Sequence, residues 1–287
     1  MPGSYYVRTK RGDVHIKDDI NIENVFLRIP GVVSVNHSDT LEDVLDRYSD
    51  VSGLDKEDLS YKMTPKDHIA LAEIILEFCG ETEGVYTMEG AAIIKDNKCV
   101  ILQGDSLAGK SRTAYELKKS YSIGGDDSVL LRIFGQKLEF VGGNRHSAPK
   151  FWHDNKEYTD FGENAVADSE VVAVIKLKTV YTPNSDKYIL QKLSPDNLQF
   201  LLWSWVSSKS RSVGSYLKDM EYPLPSLDTN ELSKKRLNFC KEASYVPFYF
   251  YEGGVENLSS IISMLIKDAD HIKEAAYAIN YKDSRLK

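Results

Sequence analysis

A chain of 287 residues with 42% hydrophobic and 28% charged residues carries enough apolar surface for a sizeable core, which excludes wholesale disorder and allows one or two domains. Its formal net charge of -7 repels polyanions and argues against a general DNA- or RNA-binding surface. No stretch reaches the ~18 apolar residues of a membrane span and Met1 to Lys17 lack a signal-peptide core, so no membrane partner and a cytoplasmic location are expected.

In chain order, the alternations Val14, Ile16 and Ile20, Ile22 predict small strands between Tyr5 and about Val35. Leu41, Val44, Leu45 and Tyr48 recur at helical spacing behind Asp39 and Thr40 and predict a short amphipathic helix. A second helix is expected over Pro65 to Cys79, capped by Thr64 and stopped by Gly80. Gly90 to Ile94 and Cys99 to Leu102 then read as a hairpin around Lys95-Asp96-Asn97-Lys98. The second strand runs into a glycine loop and a helix from about Lys110 to Lys119. Strands are predicted at Ser128 to Phe134, Lys137 to Val141, Val171 to Leu177, Tyr188 to Leu190 and Tyr245 to Phe250. Helices are predicted at Pro195 to Ser207, capped by Ser194, and past Gly253 and Gly254 through Leu265. Strands interleaved with helices make this an α/β chain.

Gly104-Asp105-Ser106-Leu107-Ala108-Gly109-Lys110-Ser111 fits the pattern G-x-x-x-x-G-K-[ST] between a strand and a helix. Gly104 and Gly109 let the backbone turn its N–H groups inward around phosphates, and the helix N-terminus adds its positive end. The candidate nucleotide-binding set is therefore Gly104, Asp105, Ser106, Leu107, Ala108, Gly109, Lys110 and Ser111, with Arg112 in the first helical turn. Lys110 supplies charge to the β- and γ-phosphates and Ser111 a hydroxyl to Mg²⁺.

Beyond that helix comes Gly124-Gly125-Asp126-Asp127. One of two adjacent carboxylates can hold Mg²⁺ while the other takes a proton from an attacking hydroxyl. A hairpin, a phosphate loop, a helix of the type Thr113-Ala114-Tyr115-Glu116-Leu117 and the Asp126-Asp127 pair together resemble the HPr kinase and phosphoenolpyruvate carboxykinase-like superfamily, more closely its HPr kinase-like branch. The likeness spans roughly Tyr86 to Lys267. It implies an α/β P-loop domain with a mixed sheet over 85–287, behind a small α+β accessory segment over 1–84. It also implies that Asp127 is the base on the acceptor hydroxyl and that Asp126 lies nearer the metal. Leu107 stands where the family commonly has glycine, Tyr86 lies near a position often held by histidine, and the Glu-x-Arg-Gly signature of true HPr kinases is not found. A hydroxyl acceptor other than HPr is therefore expected.

Three further features are weighed against plainer readings. Gly142-Gly143-Asn144-Arg145-His146 is either a polar turn or a loop closing over the reacting phosphoryl group through Arg145. Leu201 to Val206, with Trp203 and Trp205, reads as helix core, Ser207 to Ser212 as a solvated linker, and Lys234-Lys235-Arg236 as an exposed helix face. Cys79, Cys99 and Cys240 read as reduced thiols, and His37, His68, His153 and His271 lack ligand spacing.

The expected activity is an ATP- and Mg²⁺-dependent kinase that passes the γ-phosphoryl group to a hydroxyl of a small molecule or a protein serine, with Lys110 and Asp127 catalytic and Ser111 and Asp126 on the metal. The residues leave open a nucleotide-binding switch or scaffold without turnover, and a phosphotransferase or phosphatase using pyrophosphate or phosphate. A homo-oligomer is compatible with the sequence.

Overall fold

The structure, a computed structural model, describes residues 3–17, 20–39, 44–55, 57, 65–105, 107–147, 159–178, 188–211 and 227–267. A hairpin of β1 (Ser4–Thr9) and β2 (Gly12–Lys17) is followed by helix α1 (Ile22–Arg28) and by β3 (Val32–Ser38), which pairs on the other side of β1. Ile22 thus opens a helix, where the alternation predicted a strand; the two isoleucines alone do not distinguish the two periods. Helices α2 (Val44–Ser52) and α3 (Pro65–Thr82) close a core containing Val7, Ile16, Val25, Tyr48, Leu71 and Ile75. The predicted Asp39/Thr40 start of α2 and the Thr64 cap of α3 involve Thr40 and Thr64, which lie outside the described residues.

Gly80 does not stop α3. The helix runs on to Thr82, and Gly80 is small because a Cβ there would meet the Val85 carbonyl at 2.9 Å and Cγ of Arg11 at 3.0 Å. Gly84, with φ 79°, makes the turn instead.

The larger sheet begins with β4 (Val85–Glu89), β5 (Ala91–Lys95) and β6 (Lys98–Gln103). The β5–β6 turn puts Asp96 and Asn97 at φ 52° and 59°, the left-handed pair that a two-residue hairpin requires. Next come α4 (Lys110–Leu117), β7 (Ser122–Gly125), β8 (Ser128–Phe134), β9 (Lys137–Gly143) and the short pair β10 (His146–Ser147) with β11 (Thr159–Asp160). A 3-10 helix over Gly162–Val166, β12 (Ser169–Leu177), β13 (Ile189–Lys192), α5 (Pro195–Arg211), α6 (Asn230–Ala243), β14 (Phe248–Glu252) and α7 (Val255–Lys267) complete the described chain. The strand order is β4-β8-β9-β12-β6-β5-β7, with β14 also beside β12 and β13 beyond it. Because β12 is parallel to β6 and β14 while the other pairs are antiparallel, the sheet is mixed.

Alternate residues of the hairpin serve opposite layers. Ile93, Val100 and Leu102 pack with α4 and α7, whereas Ile94, Cys99 and Ile101 pack with α5 and α6. The sheet curls until β7 backs onto β9: a Cβ at Gly143 would overlap the Gly124 carbonyl, and one at Gly124 would meet the Phe140 ring. Helix α5 continues to Arg211, so the backbone of 207–211 is helical and not a linker.

The Lys234-Lys235-Arg236 run is only partly a solvated face. Arg236 falls on the buried stripe Leu232, Arg236, Phe239, Cys240, Ala243, where it is fully buried and donates to Glu81 of α3 and to Asp228. Burial raises the Glu81 carboxyl to about 7, against the attraction of Arg236. The folded chain then holds a proton that the unfolded chain releases near the ordinary glutamate value, so this group's contribution to stability falls as pH rises from about 4.5 to about 7. Thermal unfolding of wild type against Glu81→Gln should show it: the gap between their midpoints changes by a few degrees across that window and is flat above it.

Candidate functional site

β6 delivers the chain to Gly104, where a Cβ would meet the Cβ of Ala108 at 2.7 Å and the Leu177 carbonyl at 2.9 Å. Only glycine lets the loop fold back this tightly against β12. The N–H of Ala108 donates to the Asp105 carbonyl at 3.0 Å, Gly109 caps α4 at φ 98°, and the Thr113 hydroxyl ties the first turn back to the Gly109 carbonyl at 2.9 Å. Leu107 sits at φ 73° and is exposed. It occupies a glycine conformation with a bulky side chain, a local cost of about 1–2 kcal/mol. Ser106 lies outside the described residues.

Lys110 is buried, and its ammonium donates to the carbonyls of Gly104 and Asp105 and to Oε1 of Glu89 at 3.1 Å. Ser111 is half-buried beside it. Arg112 is committed along the helix surface, its Nε 2.7 Å from Oε1 of Glu116.

Glu89 was not legible as a site residue, yet it links the loop to the aspartates. In β4 it pairs in register with Ser128, and the next residue, Gly90, donates its N–H to the Asp127 carbonyl at 3.2 Å. The strand alternation carried the signal: Tyr86 and Met88 face the core, so Thr87 and Glu89 share the other face. Tyr86 itself is buried, stacked on Phe239 at 4.2 Å between centroids, and burial lifts its hydroxyl to about 12.

The Asp126-Asp127 turn is held from below by Asn144. This buried side chain accepts, through Oδ1, the N–H groups of Asp126 at 3.4 Å, Asp127 at 3.1 Å and Ser128 at 2.9 Å, while the Asn144 backbone N–H donates to the Ser128 carbonyl at 3.1 Å. Asp126 is buried and Asp127 exposed, so the two carboxylates face different surroundings.

Gly142 and Gly143 are accordingly the end of β9 and not a closing loop. Arg145 is engaged in a two-pronged pair with Asp160, 3.0 Å from Nε to Oδ1 and 2.7 Å from Nη2 to Oδ2, above the Phe26 ring. Burial works to raise the Asp160 carboxyl, but the bonds from Arg145 and from the Gly162 N–H prevail and hold it below its usual value.

Among the described residues no cluster of three or more His, Cys, Asp or Glu could cage a metal, and no described helix is long and apolar enough to cross a membrane. No family model and no curated protein matches the chain. Among solved structures, the HPr(Ser) kinase/phosphatase from Coxiella burnetii aligns over 66% of this chain and 98% of its own, at 13% identity and a TM-score of 0.35. A superposition this loose leaves family and activity to be argued from the chain's own residues.

Proposed function

We propose that the chain is a kinase transferring the γ-phosphoryl group of ATP to a hydroxyl. The observation that supports this reading is the short connection from Lys110 to Glu89 and from the Gly90 N–H to the Asp127 backbone carbonyl, by which Lys110 and the Asp126-Asp127 turn meet one end of β4. Backbone N–H groups over 104–111 would cradle the triphosphate, and Lys110 would exchange its loop carbonyls and Glu89 for the β- and γ-oxygens. The acceptor oxygen bonds to the γ-phosphorus, the bond from that phosphorus to the bridging oxygen breaks with its electron pair leaving on ADP, and Asp127 receives the hydroxyl proton.

A hydroxyl and a carboxylate are hard oxygen ligands of the kind Mg²⁺ accepts while keeping waters and phosphate oxygens, so Ser111 and Asp126 fit that ion. Bound there, it would offset charge on the transferring group. The buried Asp126 suits a charge-compensated position, and the exposed Asp127 suits contact with an incoming acceptor.

γ-Labelled ATP incubated with the protein and pooled metabolites or cell extract, with label read separately in small molecules and proteins, tests the reading. Label on a hydroxyl supports it; release of inorganic phosphate alone, or no consumption of ATP, overturns it. Glu89→Gln supplies a finer check. With its carboxylate partner gone, Lys110 is less strongly held before nucleotide binds, and calorimetry should register Mg–ATP binding about three- to tenfold tighter.

A further inference from the structure

Helix α3 buries two carboxylates one turn apart, Glu77 at 6% and Glu81 at 0% exposure. Residues at this spacing share a helix face, so the two meet the same interior. Each is held by an arginine from a different part of the chain. Arg11, from the β1–β2 turn, donates through Nη1 to Oε2 of Glu77 at 2.9 Å and to the Thr87 hydroxyl of β4 at 3.3 Å, and Thr87 donates to the same glutamate oxygen. Arg236 of α6 donates through Nη1 to Oε2 of Glu81 and through Nη2 to Asp228, just ahead of the Thr229 cap. Oε1 of Glu77 and Oε1 of Glu81 are buried and meet no hydrogen-bond partner among the described residues.

Along this row three carboxylates, Glu77, Glu81 and Asp228, face two guanidiniums. Fully ionised, it carries one surplus negative charge where repulsion is weakly screened and a carboxylate is poorly hydrated. Asp228 keeps 16% of its side chain in contact with solvent, and Glu77 has a second donor in Thr87. Glu81 has neither. Burial opposes its ionised form most strongly, Glu77 and Asp228 add to that, and Arg236 alone works the other way. The Tyr86 hydroxyl of β4 and the Cys240 thiol beside Arg236 are both pushed up to about 12 by burial and stay neutral. Glu73, one turn before Glu77, is only half-buried.

We infer that this row is a one-proton device: a proton on Glu81 keeps the junction of α3 with α6 closed, and its release to water loosens the head of α6. An ionised Glu81 gains hydration only where the junction can part, and the side nearest solvent is Asp228 with the first turn of α6. Nothing in this depends on the kinase reading.

Hydrogen exchange of the full chain at about pH 6 and about pH 8, corrected for the intrinsic effect of pH on amide exchange, tests the device. The reporters are the amides of Leu232 and Ser233, which donate to the Thr229 hydroxyl and carbonyl. With Glu81 at about 7 in the closed junction and about 4.5 once hydrated, their protection in the wild type should fall about tenfold between those conditions and stay level in Glu81→Gln. Glu77→Gln leaves two carboxylates facing two guanidiniums, so there the fall should move to lower pH. Unchanged protection in the wild type, an equal fall in Glu81→Gln, or a midpoint unmoved by Glu77→Gln overturns the inference. If a variant does not fold, infrared spectra of the wild type with carbon-labelled glutamate decide: a protonated glutamate carbonyl band present at about pH 6 and lost by about pH 8 supports the device, and its absence at the lower pH overturns it.

Discussion

Asp127→Asn is expected to lower phosphoryl transfer by about a hundred- to ten-thousandfold while Mg–ATP binds within about threefold of wild type. The substitution is nearly isosteric, and the Asp127 backbone stays fixed by its N–H to Asn144 and its carbonyl to Gly90. The carboxylate is exposed, so its loss exacts little in stability and the effect is chemical. Single-turnover rates with labelled ATP, beside calorimetric affinities, separate the two quantities. Unchanged transfer would remove Asp127 from the reaction, and loss of nucleotide binding would move it to the triphosphate site.

Asn144→Ala is expected to destabilise the fold by about 3 kcal/mol or more and to depress transfer even under conditions where the variant is fully folded. One oxygen accepts the N–H groups of Asp126, Asp127 and Ser128, and an alanine side chain offers no acceptor in its place. Each orphaned donor in a buried setting costs about 1–3 kcal/mol, reduced where water can reach it. The turn then loses its register, and a displacement of even about 1 Å at a reacting group is worth roughly a hundredfold in rate. Urea unfolding with unchanged m-value, followed by turnover at low denaturant, measures both effects. A variant as stable as wild type would show that the three bonds are dispensable.

What the sequence made legible was whatever is encoded locally. The β5–β6 hairpin follows from Asp96-Asn97, two residue types that tolerate the left-handed region, and the strand, loop and helix around Lys110 follow from glycine spacing and period. Contacts made between distant segments stayed hidden. β7 is only Ser122–Gly125, and its glycines suggest a turn until the close backing of Gly124 on Gly143 explains them as strand. Asn144 reads as loop chemistry because its three partners lie 16 to 18 residues away. Arg236 reads as surface because a run of basic residues averages over helix faces, though its spacing from Leu232, Phe239 and Cys240 places it on the apolar stripe. Glu89 was missed for the same reason in strand form, since only the alternation with Tyr86 and Met88 reveals the face it shares with Thr87.

Gly31 hands its amide to the Gly143 carbonyl at 2.9 Å, and a methyl group on Gly142 would run into the Gly31 backbone at 2.9 Å. Gly31, just ahead of β3, therefore acts as a buttress under the strand that leads into Asn144. Shortening the protein to begin at Val85 would strip that support, so on the kinase reading a fragment that keeps every proposed site residue is expected to be slow for want of its foundation and not of any reacting group.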